Sequence, residues 1–363
     1  MLQRTIEKEL KSWFNNGKEA LLVTGARQTG KTFLIREMCR KSGLPWVEFN
    51  LLDRPELINL IKNANSGENL ILRLSAATDM PLVPSQTIIF LDEIQEYKEI
   101  VTKIKFLVDE GSFRYILSGS LLGVELHNIK SAPIGYLKVL EMYPMSFIEF
   151  AQAVGFTDRV IAHIRDCYEK IEPVDEYVHQ KALEVFYLYL IVGGMPQAVQ
   201  TYVNTHNIRS VQEIQENIRE LYYLDFTKYS EKEKLKIKEI YDQIPAELNK
   251  QNKRFIFTHL NKELRFERYE NSFLWLKDAG AAIPVYVAEQ VKSPLEQNRS
   301  TNLFKLFMND VGILDSFYPN SVRMRILNRD EGINNGALFE NAAAQQLIYN
   351  GIKPYYYKIG RAH

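Results

Sequence analysis

A chain of 363 residues is too long for one ordinary hydrophobic core and too short for four, so two or three domains are expected. Its 46% hydrophobic and 25% charged content excludes a disordered class. The 45 Lys and Arg match 45 Asp and Glu, which excludes a uniformly basic coat for nucleic acid and leaves only a local basic face open. Cys39 and Cys167 are too few for a disulfide framework or a four-cysteine metal site and fit a reducing, cytoplasmic setting. The first residues, MLQRTIEKELKSW, carry charges where a secretory leader needs an apolar stretch. The apolar run Val185–Met195, at 11 residues, is too short to span a bilayer and reads as a buried helix, so no membrane is expected.

In chain order, the first 150 residues alternate strand-like and helix-like segments, the signature of a parallel sheet covered by helices. Ala20–Thr24, Trp46–Asn50, Thr87–Leu91 and Tyr115–Leu117 are short, β-branched or aromatic runs that read as buried strands. Thr32–Lys41, Pro55–Asn65 and Glu99–Asp109 carry apolar residues at helical spacing. From Met145 to about Tyr229 the pattern turns almost wholly helical. Beyond it, Lys236–Asn249, Phe266–Asp278, Gly280–Ala288 and Asn302–Met308 read as helix, helix, strand and strand, an order that suggests a winged-helix variant. A helix at Gly336–Asn350 and a strand at Tyr355–Tyr357 close the pattern.

The string Gly25–Thr32, GARQTGKT, fits G-x-x-x-x-G-K-S/T directly between a strand and a helical pattern. In that setting Gly25, Ala26, Arg27, Gln28, Thr29 and Gly30 wrap a phosphate with backbone N–H groups, and the helix N-terminus adds its dipole. Lys31 places a point charge on the β- and γ-phosphates, Thr32 offers a hydroxyl to Mg²⁺, and Phe33 follows at the rim. The same residues also fit a plain glycine-rich turn. A dinucleotide fold is disfavoured, because its fingerprint needs G-x-G-x-x-G and has no use for the Lys-Thr pair.

Ile88–Glu93, IIFLDE, is a strand ending in two carboxylates. Asp92 is placed to hold Mg²⁺, and Glu93 to orient or deprotonate an attacking water. Arg114–Ser120 supplies a further strand with Ser118 or Ser120 at its end, positioned for the γ-phosphate or the water; an ordinary strand-to-turn junction has the same composition. The histidines form no H-x-x-x-H or H-E-x-x-H pair, so no metal other than Mg²⁺ is expected.

These residues resemble the AAA-superfamily ATPases of bacteria and archaea whose C-terminal half is a DUF4143-type domain of unknown function. The likeness runs over nearly the whole chain, through GARQTGKT at Gly25, FLDEIQE at Phe90, ILSGS at Ile116, YPMSFIEF at Tyr143, VGGMPQAV at Val192, WLKDAGAA at Trp275, FKLFMNDVGIL at Phe304 and GALFENAAAQQL at Gly336. It implies an α/β P-loop ATPase core over 1–144, a helical lid over 145–229, a winged-helix-like segment over 230–330 and, over 331–363, the start of a restriction-endonuclease-like domain. Relatives carry a Gly-Arg pair where this chain reads Ala132-Pro133-Ile134-Gly135-Tyr136, so a nucleotide-sensing arginine is not carried over. Relatives also continue past the tyrosine-rich strand, whereas Ile359–His363 coincides with a peptide that a common sequencing adaptor encodes. The expectation is a chain cut short, with too little left to cover its last helix and strand, and without nuclease activity.

Three functions are compatible with this reading. The first is Mg²⁺-dependent ATP hydrolysis that switches or drives the C-terminal domains, with ATP as ligand and a protein partner of unknown kind; oligomerisation is compatible with it. The second is a DNA-binding regulator, since Lys228–Arg268 holds 11 Lys or Arg against 7 Asp or Glu and contains Phe255 and Phe257, with Tyr269 directly after it. The third is a small-molecule kinase, which needs no water-activating Glu93.

Overall fold

The computed structural model describes residues 2–120, 135–227, 231–256 and 269–357. Ala132–Ile134, Lys228, Phe257 and Ile359–His363, on which expectations were placed, lie outside the described residues. The chain divides into two compact units, one of Arg4–Tyr143 and the other of Pro144 onward together with the first residues of the chain.

The first unit is built on five parallel strands: β1 (Ala20–Thr24), β2 (Trp46–Asn50), β3 (Ile88–Asp92), β4 (Arg114–Ser118) and β5 (Leu137–Glu141), in the order β2-β3-β4-β1-β5. Successive side chains of a strand point to opposite faces, and β1 shows the consequence. Leu21 and Val23 join Leu10, Trp13 and Phe14 of α1 (Glu7–Asn16) and Leu34, Ile35 and Met38 of α2 (Lys31–Ser42). Ala20 and Leu22 face the other way, toward α3 (Glu56–Lys62), α4 (Gly67–Ala76) and α5 (Ile100–Glu110). Burial on both faces explains why β1 and β3 read as apolar runs.

Three elements of this unit escaped the periodicity. The first turn of α1 is charged, α4 starts only where Ser66 Oγ accepts from Asn69 N at 3.1 Å, and β5, LKVLE, alternates as an edge strand with Val139 exposed. Strand β4 lies between β1 and the acid strand β3.

The second unit opens with helices α6 (Phe147–Ala153), α7 (Asp158–Lys170), α8 (Glu176–Val192), α9 (Pro196–Thr205) and α10 (Ile208–Phe226), followed by α11 (Glu231–Leu248) and α12 (Glu270–Asp278). An antiparallel pair follows, β6 (Ala282–Ala288) with β7 (Arg299–Met308), then α13 (Val311–Asp315), α14 (Asn320–Leu327), α15 (Gly336–Tyr349) and the short β8 (Tyr355–Tyr356). The apolar run at the end of α8 is core, with Tyr189, Leu190, Ile191 and Val192 buried. Among the described residues no helix is long and apolar enough to cross a membrane.

The last helix and strand are not left bare, as the sequence suggested. β8 pairs in parallel with β6, and α15 buries Ala337, Leu338, Asn341, Ala342 and Gln345. The Asn341 amide closes both main-chain groups of Met308, accepting from its N–H at 2.8 Å and donating to its carbonyl at 3.1 Å. The cover comes from elements earlier in the chain, so counting the residues that follow α15 was the wrong test.

Candidate nucleotide-binding site

At the C-terminal end of β1 the chain turns through the predicted phosphate loop. Gly25 has φ of 137°, and a Cβ there would run into the carbonyl oxygen of Met142, whose N–H donates to Thr24 O at 2.7 Å. Only glycine suits both demands. Inside the loop the buried Thr29 hydroxyl donates to Ala26 O at 2.9 Å, and Gln28 takes a left-handed φ of 65°. Gly30, at φ of 91°, precedes the first residue of α2, so the open N–H groups of that helix face the loop.

Lys31 is mostly buried, and its ammonium donates to Gly25 O at 3.0 Å and Ala26 O at 2.8 Å. A cation is thus held at the centre of the loop. Thr32 Oγ1 lies 3.1 Å from both oxygens of Asp92, at the end of β3. Ser118, ending β4 between them in the sheet, donates its hydroxyl to Asp92 Oδ1. Burial pushes the Asp92 carboxyl above the usual carboxylate range; Glu93 and Glu48 act in the same direction, against the hydrogen bonds from Ser118 and Thr32.

Glu93 follows in the left-handed region, with φ of 55°. Its side chain therefore leaves the strand direction and accepts from Gln95 Nε2. Arg27, Gln28, Gly30, Lys31, Thr32, Phe33, Asp92, Glu93, Ser118 and Ser120 line one cleft of about 240 Å³. Phe33 is 60% exposed beside it. Gly25, Ala26 and Thr29 belong to the loop but do not line the cleft.

The donor set fits Mg²⁺, which prefers hard oxygen ligands: a hydroxyl and a buried carboxylate already converge there, and the carboxylate gains most from a cation. Among the described residues no group of three or more His, Cys, Asp and Glu that could hold a metal ion is found, so a cation here would rest on Thr32 and Asp92. A larger cleft of about 390 Å³ in the second unit, beside Gln152, Phe156, Gln200 and Val203, has Asp158 as its ionisable residue and offers no comparable chemistry. Sequence reasoning missed Asn50, whose amide donates to Asp92 Oδ2 at 3.4 Å. The available signal was a polar residue ending a strand that pairs with the acid strand, Asn50 lying opposite Asp92.

Residues 17–151 match the family model of an AAA domain, and residues 183–322 match a domain of unknown function, DUF8612, rather than the DUF4143 type that the sequence strings suggest. The Walker-type ATPase of Pyrococcus abyssi is similar in structure, at 14% identity over 87% of this chain and 95% of that one, with a TM-score of 0.51. The ORC1 protein of Aeropyrum pernix, solved with DNA, shares 14% identity over 90% of this chain and 93% of its own, at a TM-score of 0.36. AMPPCP-bound DnaA from Aquifex aeolicus shares 10% over 69% and 76%, at 0.35. The last two scores are too low to define a shared fold. No curated protein matches this chain. The first unit has the α/β P-loop NTPase fold, and most of its length matches the model of an AAA domain.

Proposed function

We propose that this chain is a Mg²⁺-dependent ATP hydrolase whose turnover switches or drives the segments after residue 144. The observation that carries the reading is one cleft lined by Lys31, Thr32, Asp92, Glu93 and Ser118, drawn from two strand ends and a helix N-terminus. The loop N–H groups and Lys31 bind the phosphates. Thr32 and Asp92 would hold the ion, which when bound supplies positive charge to the phosphoryl oxygens. Glu93 takes the proton of the attacking water, and Ser118 orients it. Hydrolysis is favoured over transfer to a small molecule because the Glu93 carboxylate, which lines the cleft, suits water activation.

The test is release of inorganic phosphate from ATP by the full chain with Mg²⁺ and no added acceptor, alongside calorimetric ATP binding by wild type and Lys31→Ala. Turnover without acceptor and loss of binding in the variant support the reading. Wild-type affinity in Lys31→Ala would sink it, and phosphate release only with an added acceptor would favour the kinase.

A second reading is weak DNA binding by a winged-helix-like segment over 230–330. It is favoured by the order α11, α12, β6, β7, and by Phe255 N donating to Phe304 O at 3.0 Å, which sets a third stretch beside the hairpin. The basic excess is partly neutralised at home: Lys236 pairs with Glu233, Lys250 with Glu247, and Lys253 with Glu340. Binding should therefore be weak and fall steeply with salt. A mobility shift of the full chain that is absent even at low salt would remove this reading. The segments 145–229 as lid and 331–363 as nuclease-like start stay part of the same proposal.

A further inference from the structure

We propose that Arg4 is a positioning residue for the phosphate loop, an inference that rests on the nucleotide-site reading above. Arg4 lies before α1, far from the loop in sequence, yet its guanidinium forks across two main-chain carbonyls. Nη1 donates to Thr29 O at 3.1 Å and Nη2 to Tyr143 O at 2.6 Å. Its own backbone is fixed in turn, with Arg4 N donating to Glu7 Oε1 at 3.2 Å and Arg4 O accepting from Glu7 N at 3.1 Å. The fork thus projects from a rigid helix start.

The geometry of the peptide group gives this contact its consequence. In a trans peptide the C=O of Thr29 and the N–H of Gly30 point in opposite directions. Arg4 holds the carbonyl from outside the loop, so the Gly30 N–H is turned the other way, toward the cleft that Gly30 lines. Gly30 has no side-chain constraint on that rotation, and its φ of 91° is one of several it can adopt. An external clamp on the preceding carbonyl removes the alternatives. Thr29 fixes the loop from within through Ala26 O, the Met142 carbonyl abuts Gly25, and Arg4 completes the restraint.

Arg4 is not needed to anchor α1. That helix buries Leu10, Trp13 and Phe14, and Trp13 Nε1 donates to Glu19 O at 2.8 Å. Nor is lysine an equivalent, since a single ammonium does not reproduce the planar fork that serves two carbonyls at once.

The test measures Mg-ATP affinity by calorimetry, steady-state turnover and nucleotide-free unfolding temperature for the full-length wild type, Arg4→Ala and Arg4→Lys. In Arg4→Ala the Kd and KM should rise roughly tenfold to a hundredfold, the usual scale for losing a charge-assisted hydrogen bond. At saturating ATP, kcat should stay within about a factor of three, because an affinity effect leaves the chemical step alone, and Arg4→Lys should fall between the two. A folded Arg4→Ala with wild-type Kd overturns the proposal, as does one that lowers kcat and leaves Kd unchanged. If Arg4→Ala does not fold, Arg4→Lys decides: a raised Kd supports the clamp and a wild-type Kd overturns it. Absence of ATP binding by the wild type would instead bring down the nucleotide reading itself.

Discussion

Thr32 Oγ1 stands equally far, 3.1 Å, from the two carboxylate oxygens of Asp92, although 60 residues separate them in sequence. Ser118 and Asn50 also donate to Asp92, so protein donors from α2, β4 and β2 converge on one buried acid. Such an arrangement fixes the orientation of the carboxylate at the end of β3.

This arrangement predicts a pH dependence. Because burial raises the Asp92 carboxyl above its unfolded value, the folded, nucleotide-free protein holds its proton over a pH range where the unfolded chain has lost it. The stabilisation is complete below the unfolded value of about 4 and disappears as pH rises through the folded value. At pH 7 an ionised Asp92 is therefore a net cost without ligand. Asp92→Asn should raise the nucleotide-free unfolding temperature at pH 7, with the difference shrinking toward pH 4, while Mg²⁺-dependent turnover falls by about a hundredfold or more. A lower unfolding temperature at pH 7 would contradict the burial argument.

Glu93→Gln separates binding from chemistry. The amide keeps the shape of the side chain and is no proton acceptor, so ATP affinity should stay near wild type while turnover drops by about two orders of magnitude or more, the scale of a lost general base. Calorimetry and phosphate release on the same preparation check both halves. Surviving turnover would assign the water to another residue lining the cleft, with Ser118 the first to examine.

How much of this was readable beforehand depended on whether a signal was local. GARQTGKT and IIFLDE are contiguous strings whose chemistry needs those residues in that order, and their strands and helix fall within a residue or two of expectation. The part played by Asn50 was invisible because which residue of a neighbouring strand lies opposite Asp92 is a property of tertiary packing, which a linear pattern does not encode. The edge strand β5 was missed for a related reason: one face is exposed, so it lacks the unbroken apolar run that marked β1 and β3. VGGMPQ, FMNDVGIL and ENAAAQQL were visible as strings but gave no hint that they meet one another.

Gly25→Ala should abolish ATP binding and lower stability together. The added methyl meets the Met142 carbonyl, a main-chain atom tied to β1 through Met142 N, and φ of 137° is strained for any L side chain. Strain of this kind costs on the order of 1–3 kcal/mol before the clash is relieved. Denaturant unfolding should show the loss, and an unfolding free energy equal to wild type would mean that the loop tolerates a different path.

The meeting point of those three strings is Asp310, and it gives the last prediction. Its Oδ1 accepts from Gly312 N at 3.0 Å and Ile313 N at 3.2 Å, capping α13, while Oδ2 accepts from Gly194 N at 2.6 Å and Gln345 Nε2 at 3.3 Å. One fully buried carboxylate thus ties the turn after α8 to the start of α13 and to α15. Burial pushes its pKa to about 6 in spite of these donors, so at neutral pH the ionised group relies on all four. Asp310→Asn retains an acceptor for the cap but sets an NH₂ group against Gly194 N–H or the Gln345 amide, leaving a buried donor without an acceptor. The expected loss is about 2–4 kcal/mol, combining an unsatisfied buried group with a weakened cap. Urea unfolding at pH 7 measures it, and because residues 25–32 are untouched, the folded variant should still bind ATP. Unchanged stability would show that the three strings are held together by apolar packing alone.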